Sequence, residues 1–216
     1  MGKTKDIIFN LRTDFSFSAL VEEQVNKNPL LQFEKWMNEA LGRKIPEPNA
    51  MTLATVDDKG FPDARIVLLR GFDRNGFSFF TNCKSAKGLQ LLNKKACLNF
   101  FWVELSKQVR ITGTVKKLSA KESDAYFNSR PRASQIGAWV SVQSSVLKDR
   151  SVLDEKFFEV DKKFQNKKVP RPSYWGGYIV KPVKIEFWQG RQNRLHDRIL
   201  YARTGNGKWK MQRLSP

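Results

Sequence analysis

Three basic side chains at alternate positions, Arg194, His196 and Arg198, are the residues of this chain whose types and spacing best fit a chemical role. His196 is the only histidine among the 216 residues. Side chains alternate between the two faces of a β-strand, so a strand here would bring all three onto one face. Basic groups side by side repel one another unless an anion lies against them. The alternative is a solvated strand face that is basic without binding anything.

Trp188 comes before this triplet, and Gly190 and Asn193 mark a turn between the two. An aromatic surface next to cations is what a planar phosphorylated ligand requires. Cations and hydroxyl groups also cluster at residues 65–70, at Ser85 with Lys87, and at residues 130–134 and 143–145. Each cluster alone is also explained by a solvated surface, but together they favour a protein that binds more than one phosphate. Lys87 suits one phosphate, because the first N–H groups of the helix predicted there lack partners.

Sequence signatures of several other chemistries are missing. The chain has no Ser-His-Asp or Cys-His pattern, no phosphate loop and no Gly-x-Gly-x-x-Gly. Cys83 and Cys97 match no metal or redox spacing, so we expect both to be reduced and structural, and we expect no metal site. The side chains therefore offer little redox or nucleophilic reactivity, and a bound cofactor that brings its own chemistry fits this pattern.

The net charge of +18, from 39 Lys and Arg against 21 Asp and Glu, is the unusual feature of the composition. Such a charge suits nucleic acid or phosphorylated small molecules. Because no zinc-finger, basic-zipper or recognition-helix pattern is present, a nucleic-acid binder is kept only as an alternative. No apolar run reaches the length of a membrane span, and we expect no signal peptide. These features predict a cytoplasmic protein that binds neither nucleic acid nor a membrane.

The chain is long enough for one domain with a buried core, which we place at residues 28–216, after an irregular N-terminal segment of residues 1–27. Asn28 and Pro29 form a helix cap and first-turn proline, and apolar residues continue at helical spacing to Leu41. From Met51 onward, β-branched and aromatic runs are separated by Gly, Asn and Asp turns, which predicts an antiparallel barrel or sandwich. The predicted strands are residues 51–56, 64–70, 77–81, 96–103, 108–118, 177–188, 194–203 and 208–214, with a short helix at 85–94.

Three further helices are predicted in the middle of the chain. A capping box at residues 119–122 opens a helix that ends near residue 129, and a short helix carries residues 136–139. A longer helix at about 149–165 is expected to bury an apolar side made of Leu153, Phe157, Val160 and Phe164. The fold class is therefore mainly β, an α+β arrangement of antiparallel strands with flanking helices.

Several ordered blocks of sequence resemble one known family. They are RIVLL (65–69), FTN (80–82), YFNSRP (126–131), SQIGAW (134–139), QSS (143–145), SYWGG (173–177) and EFWQG (186–190) followed by RLHDR (194–198). The match runs in order from about Asn28 to Pro216 and is similar to the pyridoxine/pyridoxamine 5′-phosphate oxidase family. The resemblance implies an antiparallel FMN-binding split β-barrel with flanking helices, working as a homodimer with FMN at the interface.

The resemblance also implies site residues. The cofactor-binding residues would be Arg65, Ile66, Val67, Leu68, Leu69, Arg70, Phe80, Thr81, Lys87, Gln108, Gln143, Ser144, Trp188 and Arg198, the last four reaching FMN from the partner subunit. The substrate-binding residues would be Arg12, Arg70, Tyr126, Arg130, Ser134, Arg194, Leu195 and His196. Arg194 and His196 would face the substrate ring as the catalytic residues, and residues 12–15 would belong to a lid.

The implied reaction moves a hydride from the C4′ carbon of pyridoxine 5′-phosphate or pyridoxamine 5′-phosphate to FMN, which dioxygen then reoxidises. It yields pyridoxal 5′-phosphate and hydrogen peroxide, plus ammonia from the amine. A split-barrel flavoprotein with a diverged reaction, or with a role in carrying the cofactor, is the alternative.

Three positions depart from the family's pattern. Arg70 stands where a lysine is usual, Ala86 where an arginine usually contacts the FMN phosphate, and Phe15 where the lid usually has a tyrosine. Arginine keeps the charge of lysine but has a different geometry. Strand alternation also puts Arg65 and Arg70 on opposite faces, so a bulge or a strand end must bring both to one site.

Overall fold

The computed structural model describes residues 2–10 and 19–216, and within them the chain forms six α-helices and nine β-strands. The helices are α1 Gly2–Asn10, α2 Pro29–Gly42, α3 Ala86–Gln90, α4 Ala120–Ser129, α5 Arg132–Val140 and α6 Ser151–Lys163. The strands are β1 Ala50–Val56, β2 Pro62–Leu68, β3 Gly71–Asp73, β4 Gly76–Asn82, β5 Lys95–Trp102, β6 Lys107–Lys117, β7 Trp175–Gln189, β8 Asp197–Arg203 and β9 Trp209–Leu214. This is the mainly antiparallel β arrangement with helices that the sequence predicts.

The strands follow the order β2-β1-β5-β6-β7-β4-β3, and β8 pairs with both β7 and β9. The long strand β7 pairs antiparallel with β4 along its first half and with β8 along its second half. Its register with β8 places Trp188 directly opposite Arg198. Directly opposite residues project to the same face of a sheet, so this register decides which side chains meet.

The described residues group into two compact units, each built from segments that alternate along the chain. Unit 1 comprises the described residues up to Pro48 together with residues 100–110 and 184–216. Unit 2 comprises residues 49–99 and 111–183. The boundary between an N-terminal segment of residues 1–27 and a domain of residues 28–216 stays a prediction.

The core of unit 1 is aromatic. Helix α2 begins as predicted, because the Asn28 side chain accepts a hydrogen bond from the Leu30 N–H at 3.0 Å. Its buried face packs Phe33 against Phe100, with ring centroids 5.2 Å apart, and Trp36 edge-on against Phe187, at 5.1 Å. These contacts hold α2 on the buried side of β5 and β7.

The core of unit 2 follows the alternation of its strands. In β1 and β4 every second side chain is buried, with Leu53, Phe77 and Phe79 fully so. Helices α4 and α5, the loop after α6 and the start of β7 add a cluster of buried residues: Phe127, Ile136, Val140, Val169 and Trp175. Helix α4 starts at the predicted capping box, in which Ser119 and Glu122 bond each other's backbone N–H groups.

Two expectations about the elements are wrong. Residues 1–27 were expected to be irregular, but Gly2–Asn10 is a helix, because the segment after Gly2 has no proline or interior glycine to oppose it. Helix α6 was expected to bury one apolar side, but none of its residues is buried and Phe157 is 37% exposed. Leu153, Val160 and Phe164 do pack against the unit 2 cluster, as expected, but they are only partly covered there.

Among the described residues, no helix is long and apolar enough to cross a membrane. In the same part of the chain, no three His, Cys, Asp or Glu side chains group to hold a metal ion. Cys83 and Cys97 are both partly buried and form no disulfide.

Candidate active site

A cavity of about 610 Å³ lies in unit 2, at the C-terminal end of β2. Its walls come from β2 and the chain after it, from the end of β4, from α3, from α4, α5 and the loop that follows, and from the start of β7. The lining residues are Arg65, Ile66, Val67, Leu68, Arg70, Phe80, Thr81, Asn82, Lys87, Tyr126, Arg130, Ser134, Gly137, Ala138, Ser141, Gln143 and Trp175. A cavity of this size accommodates a cofactor or a substrate of a few hundred daltons.

Arg65 and Arg70 reach the same cavity because β2 ends between them. The strand stops at Leu68, and Arg70 lies in the connection to β3, where its N–H donates to the Ser78 carbonyl at 2.8 Å. Strand alternation therefore no longer governs where the Arg70 side chain projects. The strand end that the sequence required is present.

One wall of the cavity is a stack of aromatic rings. Phe80 lies parallel to Tyr126, with centroids 4.0 Å apart, and to Trp175, at 5.5 Å. Gly177, opposite Phe80 in the register of β4 with β7, makes room for the Phe80 ring, since a Cβ there would lie 2.7 Å from it. The stack gives the cavity a flat apolar surface on which a planar ring can pack.

Arg130 is a partly buried cation that lacks a full set of partners. Its guanidinium carbon lies 4.7 Å from the centroid of the Trp175 ring, and its buried Nη1 has no hydrogen-bond partner within the described chain. Burial lowers the pKa of Arg130, and the nearby Arg70 lowers it further, against an opposing effect of Tyr126. A buried N–H donor of a charged group without an acceptor is costly, which marks this end of the cavity as a place for an anion.

Lys87 supplies a second cation, from α3. Its Nζ lies 3.3 Å from the side-chain oxygen of Gln143, and the hydroxyl of Thr81 donates to the same oxygen, also at 3.3 Å. Burial lowers the pKa of Lys87, and Coulombic repulsion from Arg65 adds to the effect. The combination of ammonium, hydroxyl and amide is what a phosphate group accepts hydrogen bonds from.

Arg65 is held more firmly than the other cations of the cavity. Its guanidinium pairs with Asp63 and donates to Gln90 at 2.9 Å and to the Leu53 carbonyl at 3.2 Å. Gln90 also donates to Asp63 at 3.0 Å, and this hydrogen bond, together with Arg65, holds the pKa of Asp63 below its usual range. The network fixes the orientation of Arg65 before any ligand binds.

The start of α3 is shaped by its neighbours. Ser85 caps the helix by accepting from the Gly88 N–H, and Gly88 sits where a Cβ would lie 2.4 Å from the Cys83 carbonyl oxygen. The Ala86 N–H donates to the Ser144 hydroxyl at 3.2 Å. Two of the first N–H groups that were expected to be free for a phosphate therefore already have partners, and Lys87 is the group that α3 directs to the cavity.

A second set of candidate residues lies in unit 1, on one face of β6, β7 and β8. Trp188 is opposite Arg198, and Glu186 precedes Trp188 by two positions, so the three project to one side. Glu186 accepts from the Arg198 Nε at 2.9 Å and pairs with Arg110, which extends this face to β6 and to Gln108, two positions before Arg110. The face combines an aromatic ring, an amide and two arginines around one buried carboxylate.

The turn before β8 differs from the prediction. Residues 194–203 were expected to be a strand with Arg194, His196 and Arg198 on one face, but β8 begins only at Asp197. Arg194 ends a 3₁₀ turn, in which Asn193 (φ 55°) and Arg194 (φ 59°) both have left-handed backbones. The expectation is wrong because two successive left-handed residues break the strand alternation that the spacing assumed.

His196 is oriented by the backbone of this turn. Its Nδ1 accepts a hydrogen bond from the Arg191 N–H at 3.0 Å, and its ring centroid lies 4.7 Å from that of Trp188. A ring nitrogen that accepts a hydrogen bond carries no proton, so the neutral imidazole has its proton on Nε2. The donor of the neutral ring is therefore Nε2–H.

Asp197 anchors the other end of the turn. Its carboxylate accepts from the Leu20 N–H at 3.0 Å and from Arg213 Nη1 at 2.8 Å, and it pairs with Arg191 at 3.6 Å. Arg213 also forms a two-pronged bond with Glu22, which holds the pKa of Glu22 below its usual range. The turn is thus tied to the chain at residues 20–22 and to β9.

Comparison with known proteins identifies the family. Residues 37–164 match the family model described as pyridoxamine 5′-phosphate oxidase, and residues 175–216 match the pyridoxine 5′-phosphate oxidase C-terminal dimerisation region. The chain belongs to the pyridoxamine 5′-phosphate oxidase family. A relative from Nostoc punctiforme, named pyridoxine/pyridoxamine 5′-phosphate oxidase, is 53% identical over 217 residues and is covered completely, as is this chain. A relative of the same name from Aliarcobacter butzleri is 53% identical over 208 residues, with 96% of this chain and 98% of the relative covered.

Solved structures of the oxidase family agree with the fold. PhzG from Burkholderia lata, in complex with tetrahydrophenazine-1-carboxylic acid, superposes with a TM-score of 0.86 at 29% identity, over 94% of this chain and 100% of the other. A pyridoxamine 5′-phosphate oxidase-related, FMN binding protein from Nostoc punctiforme has a TM-score of 0.68 at 18% identity, over 85% and 97% of the two chains, and shows the fold alone. The expected antiparallel split β-barrel with flanking helices is confirmed.

The structure brings together most of the residues that the resemblance to this oxidase family assigned to FMN or to the substrate. Those that line the cavity are Arg65, Ile66, Val67, Leu68, Arg70, Phe80, Thr81, Lys87, Tyr126, Arg130, Ser134 and Gln143. Leu69 is buried at 7% exposure and is not part of the lining. Gln108, Trp188, Arg194, Leu195, His196 and Arg198 belong to unit 1, and Arg12 and Phe15 lie outside the described residues. Their individual roles stay predictions.

The assignment of Gln143 and Ser144 to the FMN of the partner subunit stays a prediction. Both contact cavity residues of their own chain, Gln143 through Thr81 and Lys87, and Ser144 through the Ala86 N–H. Within this chain, the two residues therefore lie beside Lys87 and the start of α3. Sequence order could not reveal this, because the contact joins residues more than 50 positions apart.

Sequence reasoning missed the carboxylates that organise unit 1. Residues 181–216 contain two acids, Glu186 and Asp197, against nine Lys and Arg. Each of the two acids pairs with two arginines, Glu186 with Arg110 and Arg198, and Asp197 with Arg191 and Arg213. The signal was present in the sequence, since rare acids in a basic segment are the natural partners of its arginines.

Proposed function

We propose that this protein is an FMN-dependent oxidase that converts pyridoxine 5′-phosphate and pyridoxamine 5′-phosphate to pyridoxal 5′-phosphate in vitamin B6 cofactor synthesis or salvage. Dioxygen is the electron acceptor, and the products include hydrogen peroxide and, from the amine, ammonia. The full-length relatives named for this activity support the proposal. The observation that carries it is the cavity of unit 2, where two groups of cations flank an aromatic stack.

The residues present fit FMN. Lys87, whose pKa is lowered by burial and by Arg65, has no acidic partner among its hydrogen bonds and gains one when a phosphate binds beside it. Thr81 and Gln143 add polar groups at the same place, and the exposed apolar side chain of Ile66 on β2 offers a surface for a flat ring system. Bound FMN supplies the hydride acceptor for oxidation at C4′ and the electrons that reduce dioxygen.

The remaining cavity residues suit the substrate. Arg130, with its unpartnered buried Nη1, and Arg70, whose guanidinium carbon is 5.6 Å from the Tyr126 ring centroid, would bind the substrate phosphate. Ser134 adds a hydroxyl to the same lining. A phosphate held at one end fixes the position of C4′, and such orientation lowers the barrier to reaction substantially.

Arg194 and His196 are proposed to act on the substrate ring. Arg194 is exposed, and its side chain makes no hydrogen bond or ion pair within the described residues, so its guanidinium is available to a ligand. His196 presents Nε2–H, because its Nδ1 is engaged by the Arg191 N–H. A cation and a hydrogen-bond donor against the pyridine ring would orient it and favour charge shifting into it.

We further propose that the protein works as a homodimer in which Trp188 and Arg198 contact the FMN of the partner subunit. The match of residues 175–216 to a dimerisation region supports this assembly. A ligand that contacts both subunits stabilises the dimer, because it binds only the assembled state. Sedimentation should therefore find a dimer, and a monomer that holds FMN tightly would contradict the assignment.

A diverged reaction is the alternative function. The solved structure with a different bound compound, PhzG, is 29% identical, whereas the relatives named pyridoxine/pyridoxamine 5′-phosphate oxidase reach 53% over the whole chain. This contrast favours the oxidase.

The absorption spectrum of the purified protein tests the proposal. We expect a yellow protein with bound FMN, whose flavin absorption bleaches when pyridoxamine 5′-phosphate is added without oxygen and returns when air is admitted. Pyridoxamine without its phosphate serves as the control substrate and should bleach the flavin far more slowly. A yellow protein that the phosphorylated substrates do not bleach would favour the diverged reaction, and a colourless protein that cannot be loaded with FMN would contradict the cofactor.

A further inference from the structure

Glu186 is the most buried acid on the face of β6, β7 and β8 in unit 1, and its side chain contacts two arginines of that face. Its side chain is only 6% exposed. One carboxylate oxygen accepts from the Arg198 Nε at 2.9 Å, and the other pairs with Arg110. Each of its two oxygens is therefore committed to a different arginine, and the carboxylate cannot rotate without breaking one of the two pairs.

Arg198 is held at two of its nitrogens. Besides the bond from Nε to Glu186, its Nη1 donates to the Ser215 carbonyl at 2.8 Å. Fixing two nitrogens of a planar guanidinium fixes its plane, and the third nitrogen, Nη2, has no hydrogen-bond partner within the described residues. The side chain is 26% exposed, so this orientation is set in a partly desolvated environment.

The negative charge of Glu186 beside Arg198 is unexpected, since Arg198 is proposed to bind an anionic cofactor. A carboxylate beside an arginine that is meant to bind an anion weakens that arginine's attraction for the anion. Without the carboxylate, Arg198 would be free to adopt many side-chain conformations, and ordering a side chain of this length when the ligand binds would cost conformational entropy. Orientation is the benefit that offsets the loss of attraction, and Arg110 restores one net positive charge to the group of three.

We infer that Glu186 is a positioning residue, which holds Arg198 in the orientation in which it binds the cofactor. The inference rests on the proposed function in one respect, that Arg198 contacts FMN. Arg110 contributes less to this orientation. Its side chain is 48% exposed, and it pairs with the carboxylate oxygen that does not contact Arg198. Glu186→Ala should therefore release Arg198, whereas Arg110→Ala should leave it in place.

The first test does not depend on the flavin. In the apoprotein, the Arg198 Nε proton should exchange slowly with water, and its resonance can be assigned by its absence in Arg198→Ala. Glu186→Ala should make this exchange fast, Glu186→Gln should retain much of the protection because the amide oxygen still accepts, and Arg110→Ala should leave it unchanged. Unchanged exchange in Glu186→Ala would overturn the inference. If the alanine variant does not fold, fast exchange in Glu186→Asp, whose shorter side chain cannot reach Nε, gives the same answer.

The second test is a double-mutant cycle of Glu186→Ala and Arg198→Ala, with the FMN dissociation constant of each variant measured by fluorescence. Because Arg198 would lose its fixed orientation toward the cofactor, Glu186→Ala should weaken FMN binding about tenfold. In an Arg198→Ala background the same change should have little effect, since Glu186 acts through Arg198. An effect of Glu186→Ala that persists undiminished in that background would indicate a general structural role and overturn the inference. If Arg198→Ala itself binds FMN like the parent, the proposed cofactor contact fails, while proton exchange still decides whether Glu186 positions Arg198.

Discussion

The cavity of unit 2 and the strand face of unit 1 are both rich in basic residues, but only the second balances them with acids. In unit 1, Arg198, Arg191 and Arg213 all pair with Glu186 or Asp197. In the cavity, Arg130 has a buried nitrogen without a partner in the described chain, and the hydrogen bond of Lys87 is to the neutral Gln143. Arg65, which pairs with Asp63, is the cavity's exception.

The difference separates two uses of a cation. An arginine whose charge is paired has a fixed orientation and adds little net attraction for an anion. A buried cation without an acid costs folding free energy, which an incoming anion can recover. The cations of the unit 2 cavity therefore attract a ligand mainly by their charge, whereas the arginines of the unit 1 face are oriented in advance by their acids. Substituting these cations one at a time shows which of them bind a ligand and which stabilise the fold.

Arg130→Met should have the largest effect. Two hydrogen bonds to a phosphate, each worth roughly 1.5–3 kcal/mol, would be lost, so kcat/KM for pyridoxamine 5′-phosphate should fall roughly a thousandfold. The melting temperature of the apoprotein should stay equal or rise, because methionine still packs on Trp175 and no buried donor is left unsatisfied. Steady-state kinetics and thermal unfolding measure the two effects.

Arg132 provides the matched control for Arg130, two positions away. Its guanidinium is already engaged, with Asp161 at 3.1 Å and with the carbonyls of Phe164 and Lys167 at 2.9 and 3.1 Å. Arg132→Met should lower the melting temperature and leave kcat/KM nearly unchanged. The opposite pattern in the two variants would break the division between ligand-binding and supporting arginines.

Arg194 is an arginine of unit 1 without an acidic partner, since it is exposed and its side chain has no partner within the described residues. We expect Arg194→Ala to lower kcat about a hundredfold, because a group that orients the reacting ring contributes several kcal/mol to the barrier. His196→Ala should mainly raise KM, with a smaller effect on kcat. Near-normal turnover of the arginine variant at saturating substrate would place Arg194 among the solvated surface residues.

The lowered pKa of Lys87 predicts that the stability of the apoprotein and its affinity for FMN depend on pH. Its pKa is lowered in the folded protein, first by burial and then by Arg65, relative to an unfolded value near 10.5. The folded state thus binds this proton more weakly than the unfolded chain does, so the cost of the charged lysine is present below the folded pKa and fades as the pH rises toward the unfolded value. The apoprotein should become relatively more stable over this alkaline range, while its affinity for FMN falls.

Two variants isolate the Lys87 effect. Lys87→Met should weaken FMN binding about tenfold at neutral pH and remove the alkaline change in affinity, because the titrating group is gone. Lys156→Met, at an exposed position of α6, should change neither quantity. FMN titrations at several pH values measure this effect. If the affinity of Lys87→Met for FMN still falls at alkaline pH, the titrating group is not Lys87.

Ala86→Arg should have the smallest effect. Ala86 is exposed and its N–H is already bonded to Ser144, so an added guanidinium would interact with the FMN phosphate across solvent. Exposed ion pairs are worth about 0.2–1 kcal/mol, which corresponds to a few-fold tightening of FMN binding. Turnover of the FMN-saturated protein should not change. Ala86→Met, which adds bulk without charge, is the control, and equal dissociation constants for the two variants would show that the phosphate is already satisfied.

Much of the architecture could be predicted from the sequence, because it depends on residues close together in the chain. The alternation in β1 and β4 and the helix caps at Asn28 and Ser119 are local patterns, and all appear in the structure. The cation clusters around Arg65, Lys87 and Arg130 were also visible. Most of them line one cavity, as the ordered resemblance to the oxidase family implied.

The tertiary structure alone decided how the cations are partnered and aimed. Spacing placed Arg194 on a strand, but two left-handed residues in the turn place it outside β8. Residue order said nothing of Gln143 meeting Lys87, or of Glu186 lying between Arg110 and Arg198. Helix caps and strand alternation are decided by bonds that span a few residues. Charge pairing is decided by the register of segments that are distant in the chain, and only packing sets that register.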